Sequence, residues 1–359
     1  RSIIMTENQV KINTTTSGLA QDFQMQYNSW RVNESAYHPH TPHSIRIIDA
    51  EDGIPCYDYD DVDAINQNTE SIACIFCMYE SINMYYLFEK YRKDCHYIIL
   101  SGGWWDVSKC TLDLDYEMIY FPYIIPVLMD SGFSFYKSHF YANKEYDFTY
   151  PKKHIFTAMT RNYSPKREYL IPKIRDEIKY DNYVLRYKLE DLKMPTNPDD
   201  EPTQFADINP AETYLYNIVN SGYFHLITES NILRFGGYIS PNDVFFITEK
   251  TIRTLIMGVP FVLIGSPNFI KHVRDLGFTT YSELWDESYD QEEDLDKRVE
   301  KVINLCNNLE TFDWEGNKEK LKEISCKNFS NFRNMNKHII NSFHYYEKTM
   351  SKHINNDSI

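Results

Sequence analysis

An acidic and a basic side chain, Glu249 and Lys250, stand together where a strand is predicted to give way to a helix. Residues 244–247 are apolar and predict a short strand that is buried on both faces. Thr248 is a favourable helix N-cap, and a glutamate in the first turn suits the helix dipole. Open α/β sheets bind their ligands at the carboxyl ends of the strands, so this pair is a candidate ligand site. The alternative is a solvated charge pair at an ordinary helix start.

A second group of cationic residues comes before another predicted helix. Residues 154–159 predict a strand, and Arg161, Lys166 and Arg167 follow it across a turn and into the helix. Helix N-termini bind anions through their free N–H groups, and lysine and arginine add charge-assisted hydrogen bonds. This pattern predicts an anion site, with a solvated basic helix start as the alternative.

The segment 248–267 resembles the donor-binding segment of glycosyltransferases that have two Rossmann-like domains, the GT-B architecture. The resemblance rests on Thr-Glu-Lys, a short helix, Gly258-x-Pro260, and an apolar run followed by Gly and Pro. It is nearest to the α1,3-fucosyltransferase family and to related transferases of phages and large viruses. It covers roughly residues 152–290 and is strongest between residues 224 and 268.

The resemblance implies roles for the charged residues. Glu249 would bind the ribose hydroxyls of a nucleotide sugar, and Lys250 would bind its diphosphate. Arg167 would also bind the diphosphate, assisted by Arg161 and Lys166. Fixed positive charges at these positions would stabilise the departing nucleoside diphosphate, which is the main electrostatic task in sugar transfer.

Two further residues belong to the donor site that the resemblance implies. Glu229 closes an apolar strand, at residues 224–228, and would face the cleft and hydrogen-bond to the donor sugar. Thr248 opens the Thr-Glu-Lys motif and is counted with the donor-binding residues. The donor would be a GDP-sugar, as is usual in the family, or a UDP-sugar; no other cofactor is expected.

The stereochemical course is predicted from a position that lacks an acid. Retaining transferases of this architecture often carry a second glutamate eight residues after the first, and here that position is Met257. An inverting displacement is therefore favoured, in which a general base deprotonates the acceptor hydroxyl. Glu80 and Asp106 both follow predicted strands of the first domain, and the choice between them as the base stays open.

Asp-x-Asp pairs, which bind metal in single-domain transferases, also occur in the sequence. They are Asp58-x-Asp60, Asp61-x-Asp63 and Asp113-x-Asp115. Chance matches are expected among 52 acidic residues, and none follows a convincing strand end beside a nucleotide site. We predict that no metal is required.

The predicted strands and helices that position these residues indicate an α/β fold with two Rossmann-like domains that face a cleft. A βαβ pattern begins at residue 72 in the first half, and alternating strands and helices resume at residue 154. The predicted domains are an acceptor-side domain at 1–150, a donor-binding domain at 151–330, and a C-terminal helix at 331–359 that packs back on the first domain.

Composition narrows the classes of partner. The chain has 359 residues and a formal net charge of −15, which disfavours nucleic acid or an anionic membrane as the main partner. No apolar stretch approaches the roughly 20 residues of a membrane span. Seven scattered cysteines indicate a reducing compartment, and we expect a cytoplasmic protein, in the host cytoplasm if it is viral.

The favoured function is an inverting glycosyltransferase that acts on a hydroxyl of a glycan or glycoconjugate. One alternative is a catalytically inactive protein that binds nucleotides or sugars on the same scaffold. Another is a glycosyltransferase that acts on modified DNA bases, which the acidic charge disfavours.

Overall fold

The computed structural model describes most of the second half of the chain and shorter segments of the first half. The described residues are 55–58, 61–77, 88–105, 113–120, 150–160, 165–187, 210–229, 244–335, and 341, 342, 344, 345, 348 and 349. The chain divides into two compact units. The first unit comprises residues 1–123, 235–240 and 337–359, and the second comprises residues 124–234 and 241–336.

The first unit contains a four-stranded parallel sheet. Its strands are β1 (Cys56–Asp58), β2 (Ile72–Cys77), β3 (His96–Ser101) and β5 (Asp115–Tyr120), in the order β1-β2-β3-β5. Helix α1 (Val62–Gln67) connects β1 to β2, and the two-residue strand β4 is Trp104–Trp105. The central strands β2 and β3 are apolar and buried, as expected of parallel strands covered on both faces.

The second unit contains another four-stranded parallel sheet. Its strands are β6 (His154–Thr160), β7 (Tyr183–Tyr187), β8 (Gly222–Thr228) and β10 (Phe261–Ile264). The order across the sheet is β10-β8-β6-β7, so the chain proceeds to one side from β6 to β7 and then crosses to β8 and β10. This reversal of direction is the switch point of a doubly wound sheet.

The described part of the second unit also contains six α-helices. They are α2 (Pro165–Glu177), α3 (Pro210–Ser221), α4 (Glu249–Met257), α5 (Phe269–Asp275), α6 (Leu295–Asn308) and α7 (Lys318–Arg333). Helices α3 and α4 contact each other and β8, whereas α6 contacts β10 and α2. The α/β class predicted from the sequence is confirmed at this level, with parallel strands in both sheets.

The side chains of neighbouring residues in β6 and β8 cover the two faces of this sheet differently. The rings of Phe156 and Phe224 stack with centroids 5.5 Å apart. Thr157 and His225, the next residues along each strand, are also buried, and the Thr157 hydroxyl and His225 Nδ1 lie 2.9 Å apart. Because alternate residues of a strand face opposite sides, the aromatic pair and the polar pair line different faces.

The structure corrects several element predictions. The sequence pattern of strands and helices begins at residue 72, yet β1 and α1 precede it in the structure. The predicted strand at 244–247 is only the two-residue strand β9 (Val244–Phe245), and it is not part of the sheet that contains β10.

The predicted domain boundary at residue 150 stays a prediction, because residues 121–149 lie outside the described part of the chain. Near the C-terminus, the Ser342 hydroxyl donates to the Tyr120 carbonyl oxygen at 2.9 Å, so this stretch contacts the sheet of the first unit. Among the described helices, none has the length and apolar character that a membrane span requires.

Candidate functional site

The candidate site is built on the first turn of α4. Thr248 is in an extended conformation, and its hydroxyl oxygen accepts a hydrogen bond from the Lys250 backbone N–H. Gly258 ends the helix in the left-handed conformation with φ 67°, which favours glycine because it lacks a Cβ. Both helix ends predicted from the sequence are confirmed.

Glu229 directly follows β8, at the carboxyl end of a strand beside the switch point of the sheet. Its backbone N–H donates to the Ile264 carbonyl oxygen at 2.9 Å, which continues the pairing of β8 with β10 by one residue. The residue is 1% exposed. A buried carboxylate is stable only when hydrogen-bond donors satisfy it, so its partners define the local structure.

Three donors from the start of α4 converge on the Glu229 carboxylate. The Thr248 hydroxyl donates to Oε2 at 2.6 Å, and the Thr248 backbone N–H lies 3.4 Å from Oε1. The Thr251 hydroxyl also donates to Oε1. Glu229, Thr248 and Thr251 form what we call the threonine–carboxylate cluster. The cluster holds the start of α4 at the carboxyl end of β8.

Lys250 extends from this cluster towards the surface. Its ammonium nitrogen lies 3.0 Å from Glu249 Oε1 and 3.3 Å from the Thr248 hydroxyl oxygen. The side chain is 20% exposed, and that of Glu249 is 36% exposed. A lysine ammonium has three donors. Within the described part of the chain two of them are used, and the third is free for a ligand.

Glu249 is held in its charged form by its neighbours. Burial acts to raise the pKa of its carboxyl group, but the charge and hydrogen bond of Lys250 outweigh burial. The charge of Arg253, one turn further along the helix, acts in the same direction, and the pKa of Glu249 lies below its ordinary value. The turn therefore presents one carboxylate together with two cationic residues.

The structure brings together four of the predicted site residues: Glu229, Thr248, Glu249 and Lys250. Lys166 and Arg167 lie in the first turn of α2, but the positions of their side chains are not described. Glu80, Asp106 and Arg161 lie outside the described residues. The roles assigned to all of these residues, including a contact between Glu229 and a donor sugar, stay predictions.

Two residues of the site were not identified from the sequence. Thr251 lies on the same face of the helix as Thr248, Ile252 and Leu255, which is the buried face. Its hydroxyl group therefore points inward and requires a polar partner. Arg253 stands four residues after Glu249, the spacing at which charges on a helix interact. Both signals were present in the sequence.

In the described segments no group of three or more His, Cys, Asp or Glu side chains is arranged to hold a metal ion. The chemistry that the described site itself offers is recognition of an anion by Lys250 and the start of α4, and recognition of hydroxyl groups by the Glu249 carboxylate.

Comparison with protein-family models gives no match to this sequence, and comparison with curated protein sequences gives none.

Proposed function

We propose that the protein is an inverting glycosyltransferase that uses a nucleoside-diphosphate sugar, GDP- or UDP-linked, and transfers the sugar to a hydroxyl of a glycan or glycoconjugate. The proposal includes the GT-B arrangement of two Rossmann-like domains. Each of the two units has a four-stranded parallel sheet, which supports it. Transfer without a required metal ion and a cytoplasmic location are parts of the same proposal.

The observation that carries the proposal is the attachment of the Glu249–Lys250 turn to the carboxyl end of β8. Doubly wound sheets bind nucleotides at this edge, beside the strand at which the chain reverses direction. A helix start at this edge supplies backbone N–H groups and a positive dipole end. Lys250 adds a full positive charge that is only partly exposed, so water screens it less than it would screen a surface charge.

In the proposed reaction Lys250 binds the diphosphate and Glu249 binds the ribose hydroxyls. The acceptor oxygen attacks the anomeric carbon as the bond from that carbon to the diphosphate oxygen breaks. The diphosphate leaves with the bonding electron pair, and its growing charge is stabilised by Lys250, with Arg167 as the proposed second cation. Glu80 or Asp106 accepts the proton of the acceptor hydroxyl.

In the structure the Lys250 ammonium group pairs with the Glu249 carboxylate. A diphosphate carries more negative charge than a carboxylate and therefore attracts the ammonium group more strongly at the same distance. Donor binding is expected to draw Lys250 onto the phosphate oxygens and to release the Glu249 carboxylate for the ribose hydroxyls.

A nucleotide-binding experiment tests the site. We expect GDP, UDP or CDP to raise the melting temperature of the protein, since a ligand at 100 times its Kd stabilises the folded state by about 2.7 kcal/mol. Lys250→Met is expected to weaken this binding about 10- to 100-fold, because it removes a charge-assisted hydrogen bond. Lys327→Met is the matched control: Lys327 lies in α7, is exposed and pairs with Glu323 at 2.6 Å.

Turnover separates the proposed enzyme from the alternatives. Purified protein that binds a nucleoside diphosphate should release it from the matching nucleotide sugar, and Lys250→Met should abolish the release. Binding without turnover towards any glycan acceptor would favour an inactive binding protein, and turnover only with DNA would favour the base-modifying transferase. The proposed site is wrong if no nucleoside diphosphate raises the melting temperature.

A further inference from the structure

We propose that Glu229 is a positioning residue that aims Lys250 at the diphosphate, and that Thr251 is its second anchor. The inference rests on the proposed function, because it concerns how the same site is held in its binding geometry. It gives Glu229 a task different from the sugar contact implied by the resemblance to fucosyltransferases.

Both oxygens of the Glu229 carboxylate are already engaged inside the protein. Oε2 accepts from the Thr248 hydroxyl, and Oε1 accepts from the Thr251 hydroxyl and the Thr248 backbone N–H. With 1% of the residue exposed, a sugar could reach this carboxylate only if α4 moved away from it. Such a move would leave a buried charge without its donors, which is strongly unfavourable.

A single hydroxyl group, that of Thr248, connects Glu229 to Lys250. The Thr248 hydroxyl donates a hydrogen bond to Glu229, and its oxygen accepts hydrogen bonds from the backbone N–H and the ammonium group of Lys250, each at 3.3 Å. Donation to a carboxylate polarises the hydroxyl and makes its oxygen a better acceptor, because hydrogen bonds in a chain strengthen one another. Glu229 therefore influences both the position and the attraction of the Lys250 ammonium.

The rotation of α4 about its own axis depends on the hydrogen bond from Thr251. Thr248 and Thr251 are three residues apart and lie on one face of α4. One hydrogen bond to Glu229 would act as a pivot, whereas two bonds from successive positions on that face also fix the rotation of the first turn about the helix axis. Removal of the Thr251 bond should leave α4 folded but let Lys250 turn away from the orientation that suits an anion.

A matched pair of threonines on the same helix tests this inference. Thr251 is 0% exposed and donates to Glu229, whereas Thr254 is 2% exposed and donates to the Lys250 carbonyl oxygen at 2.9 Å. Thr251→Val and Thr254→Val each remove one buried hydroxyl and keep the shape of the side chain. Both variants should lower the melting temperature, and Thr251→Val should lower it more, because only that substitution takes a donor from the buried carboxylate.

The measurement is the Kd of the tightest-binding nucleoside diphosphate, obtained by titration calorimetry. Thr251→Val is expected to weaken binding about tenfold, because part of the binding free energy is then used to bring Lys250 back to the orientation that suits the diphosphate. Thr254→Val should bind as the unsubstituted protein does, and Thr251→Ser should restore binding because it restores the hydroxyl. Glu229→Gln provides a second variant, with weakened binding expected because the neutral amide attracts the hydroxyl donors less.

The outcomes distinguish this inference from the proposed function. If the unsubstituted protein binds a diphosphate and Thr251→Val binds it as well as Thr254→Val does, the positioning role is overturned while the proposed function stands. The same conclusion follows if Thr251→Ser fails to restore binding. Absence of diphosphate binding by the unsubstituted protein overturns both.

Discussion

Replacing Asp290 by asparagine is expected to remove a pH-dependent part of the stability of the second unit. Asp290 is 5% exposed, and its two carboxylate oxygens accept from the Ile270 and Lys271 backbone N–H groups at 2.9 and 3.2 Å. It therefore caps α5 from a distant position in the chain. Burial is the largest influence and, despite these donors, raises the pKa of Asp290 to about 6.

The magnitude follows from this change in pKa. A rise from 3.8 to about 6 corresponds to about 3 kcal/mol of preference for the protonated form in the folded state. Because the folded-state pKa is the higher one, the stabilisation is fully present below pH 3.8 and is lost as the pH rises through about 6. An asparagine side chain does not titrate, so Asp290→Asn should show no such loss.

Native-state hydrogen exchange of core amides in β8 and β10 measures the free energy of opening of this unit alone. The free energy of the unsubstituted protein minus that of Asp290→Asn should decrease by about 2.4 kcal/mol between pH 4 and pH 7, since the rest of the change lies below pH 4. Asp286→Asn is the control. Asp286 accepts from the Ser288 N–H and hydroxyl, which lower its pKa, so its contribution to stability changes only at pH values below 3.8.

The test depends on how the difference in opening free energy changes with pH, and its absolute size does not decide the outcome. The substitution also removes one hydrogen-bond acceptor, which shifts the difference by the same amount at every pH. A difference between Asp290→Asn and the unsubstituted protein that stays constant from pH 4 to pH 7 would refute the reasoning. It would mean that Asp290 is accessible to water or that another group compensates for its charge.

Two further predictions concern the core of the same unit. Burial lowers the pKa of His225 to about 4, so the neutral ring stabilises the fold above pH 6.5, and about 3 kcal/mol of the free energy of unfolding is lost as the pH falls towards 4. Hydrogen exchange of His225→Asn should not show this loss of stability. An equal loss in the variant would contradict the prediction. A Cβ on Gly265 would lie 2.7 Å from the buried ring of Phe269, so Gly265→Ala should lower the free energy of unfolding by about 1–3 kcal/mol. An unchanged midpoint of urea unfolding would show that the ring moves aside freely.

The sequence allowed α4 to be predicted because several local signals agree there. An N-cap threonine, an apolar stripe at helical spacing and a glycine after the last turn all specify the same helix. The strands β8 and β10 were likewise predicted from their apolar runs. In contrast, α1 has six residues, of which only Ile65 is buried, so it carries no periodic pattern that a sequence could reveal.

The contacts of the candidate site were less accessible from the sequence. Glu249 and Lys250 are adjacent in the chain, and their pairing needs no tertiary information. The partners of Glu229 lie 19 and 22 residues further along, and only the return of the chain to the end of β8 brings them together. A strand-end glutamate predicts a polar environment, but whether it faces a ligand or a neighbouring helix depends on packing that periodicity does not encode.

Helix α4 is attached at both ends. Glu229 holds its first turn, and the Ser325 hydroxyl of α7 donates to the Gly258 carbonyl oxygen just past its last turn, at 2.5 Å. If the first turn of α4 binds a ligand as proposed, it is ordered before the ligand arrives, so little conformational entropy of the protein is lost on binding. Substitutions at Ser325, far along the chain from Lys250, are thus expected to loosen this preorganisation and to speed ligand dissociation.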